Sequence, residues 1–77
     1  MRIIIWNEDN EYFYGEIDND YVRVWNQTND LFYYGHLYGT EFRIHNEYKG
    51  WLWGRIEGTE LIFWDENNNY MWGRIEP

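Results

Sequence analysis

The sequence predicts an all-β domain: four tandem β-hairpin repeats forming an eight-stranded antiparallel up-and-down meander. The meander closes into a small barrel or, as the alternative, stays an open curled sheet completed by oligomerisation. Three observations carry this prediction. Glycines recur at 15, 35, 54 and 73, inside Tyr14-Gly15-Glu16-Ile17-Asp18, Tyr34-Gly35-His36-Leu37-Tyr38, Trp53-Gly54-Arg55-Ile56-Glu57 and Trp72-Gly73-Arg74-Ile75-Glu76. β-branched and aromatic residues alternate with polar ones at period two, and no stretch sustains a helical period. Between the alternating runs lie clusters of Asn, Asp and Gly, the residues that accept the left-handed backbone of tight turns.

A repeat this regular sets the architecture. It divides the 77 residues of one domain into units 1–20, 21–40, 41–59 and 60–77. Each unit opens with a strand ending in Ile5-Trp6-Asn7, Val24-Trp25-Asn26, Ile44-His45-Asn46 or Phe63-Trp64-Asp65. A longer polar loop follows: Glu8 to Glu11, Gln27 to Asp30, Glu47 to Gly50, or Glu66 to Asn69. The second unit carries one extra residue, which accounts for its longer glycine spacing. A second strand then runs through the glycine to a short turn, Asn19-Asp20, Gly39-Thr40 or Gly58-Thr59, whose composition suits primed hairpin geometry.

The short turns fix a register. Asn19-Asp20 sets Ile17 against Val22, Glu16 against Arg23, Gly15 against Val24 and Tyr14 against Trp25, so apolar meets apolar on one face and opposite charges meet on the other. The next turns set Leu37 against Phe42, Gly35 against Ile44, Ile56 against Leu61, Gly54 against Phe63 and Trp53 against Trp64. Each glycine therefore faces a bulky side chain and leaves it room. The longer loops pair Trp6 with Tyr12, Ile5 with Phe13, Ile44 with Leu52, Arg43 with Trp53, Trp64 with Tyr70 and Phe63 with Met71. Combined, the registers accumulate a stagger of about eight residues over eight strands, which is consistent with a closed barrel. Closure would place Ile75 against Ile3 and Trp72 against Trp6.

One face of this sheet collects Ile3, Ile5, Phe13, Ile17, Val22, Val24, Tyr33, Leu37, Phe42, Ile44, Leu52, Ile56, Leu61, Phe63, Met71 and Ile75, the expected core. The other carries all six tryptophans and most of the tyrosines. From it come the candidate binding residues Trp6, Tyr14, Trp25, Tyr34, Arg43, His45, Trp51, Trp53, Trp64, Tyr70 and Trp72. Cross-strand aromatic pairs brace small sheets, but a contiguous band of this size exceeds what monomers usually expose. The expected arrangement is an aromatic band towards the Asn-rich loops and a charged band towards the short turns.

Composition narrows the function. Fourteen acidic against six basic side chains give a net charge of −8, which repels nucleic acid and anionic membranes and favours basic partners. There is no cysteine for a disulfide or thiolate metal site, and the apolar run Ile3 to Trp6 is too short for a signal peptide or a membrane span. A cytoplasmic protein is expected. His36 and His45 with Glu41 are too few for a metal site, and the two histidines are expected to stack with Tyr34 and Arg43. The pairs Glu57/Glu60 and Glu57/Glu76 have no orienting partner for acid–base work. No serine or cysteine is present, the three threonines lie in loops, and the glycines stand singly in strands rather than in a phosphate-binding loop. Neither an enzyme nor a cofactor is expected.

In repeat length and Tyr/Trp-Gly hairpins, carried mainly by Arg55-Ile56-Glu57-Gly58-Thr59 through Trp72-Gly73, the chain resembles MORN-type repeats, which implies hairpin sheets used in protein and lipid contacts. The denser glycine pattern of that family is missing. The aromatic period also resembles the choline-binding repeats of cell-wall proteins, without their Gly-Trp and Trp-Tyr-Tyr signatures. The leading expectation is a non-catalytic module that engages a protein, a basic one in particular, through the aromatic face, as an inhibitor mimicking nucleic acid would. The alternatives are a lectin-like glycan binder, with Asn7, Asn26, Asn46 and Asp65 as hydroxyl partners beside the rings, and a self-assembling structural protein, a homo-oligomer.

Overall fold

The computed structural model describes residues 1–77 as eight strands: β1 (Arg2–Asn7), β2 (Tyr12–Asp18), β3 (Tyr21–Asn26), β4 (Phe32–Tyr38), β5 (Glu41–Asn46), β6 (Gly50–Glu57), β7 (Glu60–Asp65) and β8 (Tyr70–Glu76). Each strand pairs antiparallel with the next, and β8 pairs with β1 to close the barrel in chain order. No helix is long and apolar enough to cross a membrane. Closure corrects the open-sheet alternative: Ile3 pairs with Ile75 and Trp6 with Trp72, so the seam repeats the internal rule and no strand edge is left for a second copy.

The pairings expected from the turns are those observed in six of the seven internal hairpins, and the seventh, β3 with β4, sets Val22 against Gly35. Followed around the barrel, the registers return to β1 displaced by about eight residues, a stagger that tilts eight strands about 36° to the axis. Each long-loop hairpin gains one further backbone bond at its open end. The N–H groups of Ile17, Leu37, Ile56 and Ile75 donate to the carbonyls of Met1, Asp20, Thr40 and Thr59 at 2.7–3.0 Å.

The interior shows why glycine recurs. Gly15 lies between Ile3 and Val24, Gly35 between Val22 and Ile44, Gly54 between Phe42 and Phe63, and Gly73 between Leu61 and Ile5. Those eight flanking side chains are the central core, all buried. The even strands give up volume so that the odd strands can fill the barrel. At Gly54 the space is taken by two aromatic rings. The Phe42 and Phe63 rings meet beside it with centroids 4.9 Å apart, and a Cβ there would lie 2.5 Å from Phe63 Cδ2. Phe13, Tyr33 and Leu52 complete the buried set towards the long loops and Ile17 towards the short turns, while Leu37, Ile56, Met71 and Ile75 are only partly buried against it. Leu31, from the second long loop, also packs on the core, a contribution its place in a loop had concealed.

The short turns have positive φ at their first residue alone: Asn19 at 58°, Gly39 at 65° and Gly58 at 68°. This is the sign pattern of a type II′ turn, one of the primed hairpins expected. Three of the long loops place an asparagine in the left-handed region, Asn10, Asn29 and Asn68, and the fourth uses Gly50. All four long loops project from one end of the barrel, here the long-loop pole. The three short turns and both termini lie at the other, the short-turn pole.

Candidate binding surfaces

The outward positions carry the candidate residues, but closure changes their geometry. An aromatic face of an open sheet becomes a girdle around all eight strands of a body 26 × 23 × 22 Å across. Trp6, Tyr14, Trp25, Tyr34, Arg43, His45, Trp51, Trp53, Trp64, Tyr70 and Trp72 therefore do not form one contact surface. They resolve into cross-strand groups, with Tyr14 opposite Trp25, Trp53 opposite Trp64 and Trp72 opposite Trp6. Arg74 lies 6.0 Å from the Trp6 ring and Arg55 5.9 Å from that of Trp64, within cation–π range. Most of these rings are half-buried and brace the wall.

Tyr34, Arg43, His45 and Trp51 do come together. With Tyr21, Gly35, His36 and Tyr38 they line a shallow depression of about 420 Å³ over β3 to β6. Tyr21, His36 and Tyr38 were not among the expected site residues. The internal repeat held a signal for one of them: where the third and fourth units have Arg55 and Arg74 after the glycine, the second has His36. The histidine rings also meet different partners from those expected. His36 approaches Tyr21 at 5.9 Å and Tyr38 at 6.1 Å, and His45 packs on Trp51 at 4.9 Å. Arg43 sits 4.9 Å over the Tyr38 ring.

A fourfold pattern of greater consequence appears at the long-loop rim. Immediately after each long loop one aromatic side chain stands well exposed: Tyr12 at 39%, Phe32 at 44%, Trp51 at 43% and Tyr70 at 41%. The loops they border are acidic. Glu8, Asp9, Glu11, Asp30, Glu47, Asp65 and Glu66 face a single cation, Lys49, so this pole holds −6 of the net −8. The other seven acids share the short-turn half with five arginines and form the ion pairs Glu16–Arg23, Glu41–Arg43 and Glu57–Arg55. The expected charged band is thus present near the short turns but nearly balanced. The uncompensated charge lies in the loops.

At the centre of that pole the barrel mouth is a depression of about 350 Å³ whose walls include Asn7, Glu8, Asp9, Glu11, Tyr33, Lys49, Asp65 and Tyr70. Tyr33 is 8% exposed. Burial, and then the negative charge of Asp65, push its phenol above the ordinary value of 10.0. In the second loop, hydrogen bonds from Asn26 and then Thr28 hold the Asp30 carboxyl below the usual range.

The ring of Asn7, Asn26, Asn46 and Asp65 points inward and is committed to the loops. Each Oδ1 accepts two backbone N–H groups of its own loop: Asp9 and Glu11, Asp30 and Leu31, Tyr48 and Lys49, Asn67 and Asn69. Asn46, 6% exposed, also donates from Nδ2 to the Phe32 carbonyl at 2.7 Å. These side chains recur because the loops need an acceptor there, and their Oδ1 atoms are taken up by it. No group of three His, Asp or Glu side chains converges to hold a metal ion.

No family model, curated protein or solved structure matches this chain. The likeness to MORN-type and choline-binding repeats therefore stays one of period and composition.

Proposed function

We propose that this chain is a non-catalytic binding module whose long-loop pole engages a basic protein. The observation that carries the reading is the coincidence at one pole of seven carboxylates, one lysine and four exposed aromatic rings. Aromatic side chains dominate interface energetics when a partner covers them, and an acidic field steers a basic partner onto them. A protein that occupies the basic surface of a nucleic-acid-handling partner in this way acts as its inhibitor.

The test compares two variants with the same change in net charge. Glu8→Gln/Asp9→Asn alters the long-loop pole, and Glu60→Gln/Glu76→Gln alters the other; none of these four side chains makes a hydrogen bond within the protein. Calorimetric titration against purified basic proteins at low and raised salt should show binding weakened at least about tenfold by the first variant and little changed by the second. Equal weakening by both would reduce the effect to net charge and sink the reading.

A further inference from the structure

We infer that the depression over β3 to β6 is a second binding site, on the wall of the barrel, and that it takes one small aromatic carboxylate.

The internal repeat marks this groove out from its counterparts. Three repeats leave a groove on the outer surface beside their glycine, at Gly35, Gly54 and Gly73. The grooves at Gly54 and Gly73 are lined alike, with a glutamate, Glu41 or Glu60, and a tryptophan from the next repeat, Trp64 or Trp6. Arg55 and Arg74 lie 5.9 and 6.0 Å from those two rings. At Gly35 all three positions differ: Tyr21 stands for the glutamate, His45 for the tryptophan and His36 for the arginine. The pairing is undisturbed, since His36 still faces Tyr21 and Arg43, and His45 faces Tyr34 and Trp51. The fold accepts either lining, so the exchange has its consequence at the surface.

That consequence is first one of charge. Each of the other four depressions has at least one glutamate in its wall. This one has no carboxylate at all, on a chain of net charge −8, and Arg43 is its one fully charged side chain. The acids beside it hold its donors loosely. Glu41 Oε1 lies 3.8 Å from Arg43 and Asp20 Oδ1 4.0 Å from His36 Nδ1, both beyond hydrogen-bond reach and exposed enough to be worth little.

The second consequence is one of shape. Tyr21, Tyr34, Tyr38 and Trp51, which stand around the depression, are each 39–53% exposed. A flat aromatic ring can lie against them in offset or edge contact. The planar fork of Arg43 matches a carboxylate in two-pronged fashion, and the imidazoles offer further N–H donors. A cationic ligand would meet Arg43 with no carboxylate in the wall to offset it. Sugar hydroxyls would find no carboxylate or amide side chain to accept their protons. The volume of about 420 Å³ is that of a small-molecule site.

The test titrates the whole chain with 2-naphthoate, 2-naphthamide and cyclohexanecarboxylate and follows backbone amide shifts. Naphthoate should move the amides of Gly35, His36 and His45. The uncharged amide and the non-aromatic acid should each bind several-fold more weakly. Tyr21→Glu gives this groove the carboxylate of its counterparts and should weaken naphthoate about tenfold. Tyr21→Gln, which loses the same ring without adding charge, should weaken it less. Glu41→Gln frees Arg43 and should tighten binding, a gain that misfolding cannot produce. Unmoved amides, equal affinity for naphthamide, or equal weakening by Tyr21→Glu and Tyr21→Gln overturns the inference. A tripeptide Gly-Gly-Phe with a free carboxyl carries ring and acid on a chain end. Tighter binding of that peptide than of naphthoate would assign the groove to a protein terminus and overturn the small-molecule assignment.

Discussion

The two poles of this barrel are made by the same four repeats, yet one is balanced and the other is not. At the short-turn pole, left-handed residues turn the chain in two residues, and arginines lie beside glutamates or over rings. The opposite charges there nearly balance. At the long-loop pole the same repeat spends its inward Asn or Asp on holding the loop, and the remaining carboxylates have one lysine among them. Where side chains neutralise one another they serve the wall. Where they do not, they are available to something outside it.

The most damaging change should abolish the comparison by removing the barrel that separates the poles. Phe63→Ala empties the ring contact beside Gly54 and should cost about 3–5 kcal/mol. Gly54→Val, which drives a Cβ against the Phe63 ring, should cost about 3 kcal/mol or prevent folding. Urea unfolding followed by tryptophan fluorescence checks both, and a loss below about 1 kcal/mol in either would contradict the packing described.

A second experiment sets the poles against each other. Asn46→Ala leaves two loop N–H groups and the Phe32 carbonyl without their partner and should cost about 2–3 kcal/mol. Glu16→Gln weakens a half-exposed ion pair with Arg23 and should cost less than about 0.5 kcal/mol. Thermal unfolding of the two variants would show the reverse order if the ion pairs, rather than the capping side chains, held the ends together.

The smallest effect sharpens the contrast at the mouth. The folded protein holds the Tyr33 proton above the ordinary phenol value of 10.0, so the native state keeps a proton that the unfolded chain has released. The associated stability is fully present below that pH and falls as pH rises through the folded value. Asp65→Asn removes the second cause and leaves burial, so the phenolate should appear at lower pH in the variant. Alkaline absorbance titration would refute this if the Tyr33 transition did not move.

Much of this was legible because the constraints are local. Asn19 and Gly58 fix two-residue turns, a turn fixes a register, and a register at period two assigns Ile17 and Val22 to one face and Glu16 and Arg23 to the other. Repetition allowed three turns to be checked against one rule. The candidate site was less legible. Trp53 and Trp64 are adjacent as expected, but Trp25 and Trp64, equivalent in the pattern, look out from opposite sides of the barrel. Tyr21 and His36 were passed over, and the Asn ring was assigned to ligands although the loops use it, because a side chain's direction at a strand end depends on the hydrogen bonds of the loop that follows.

The sequence by itself determined the strands, the turns, the pairing and the eight-residue stagger, since each depends on neighbours along the chain or across one hairpin. Tertiary structure alone decided that the aromatic face is a girdle, that four acidic loops share one pole, and that Tyr33 and Asp65 meet in its mouth. The reason is physical: closure is a global condition, met only when β8 reaches β1, and only then do residues from separate repeats surround a common axis.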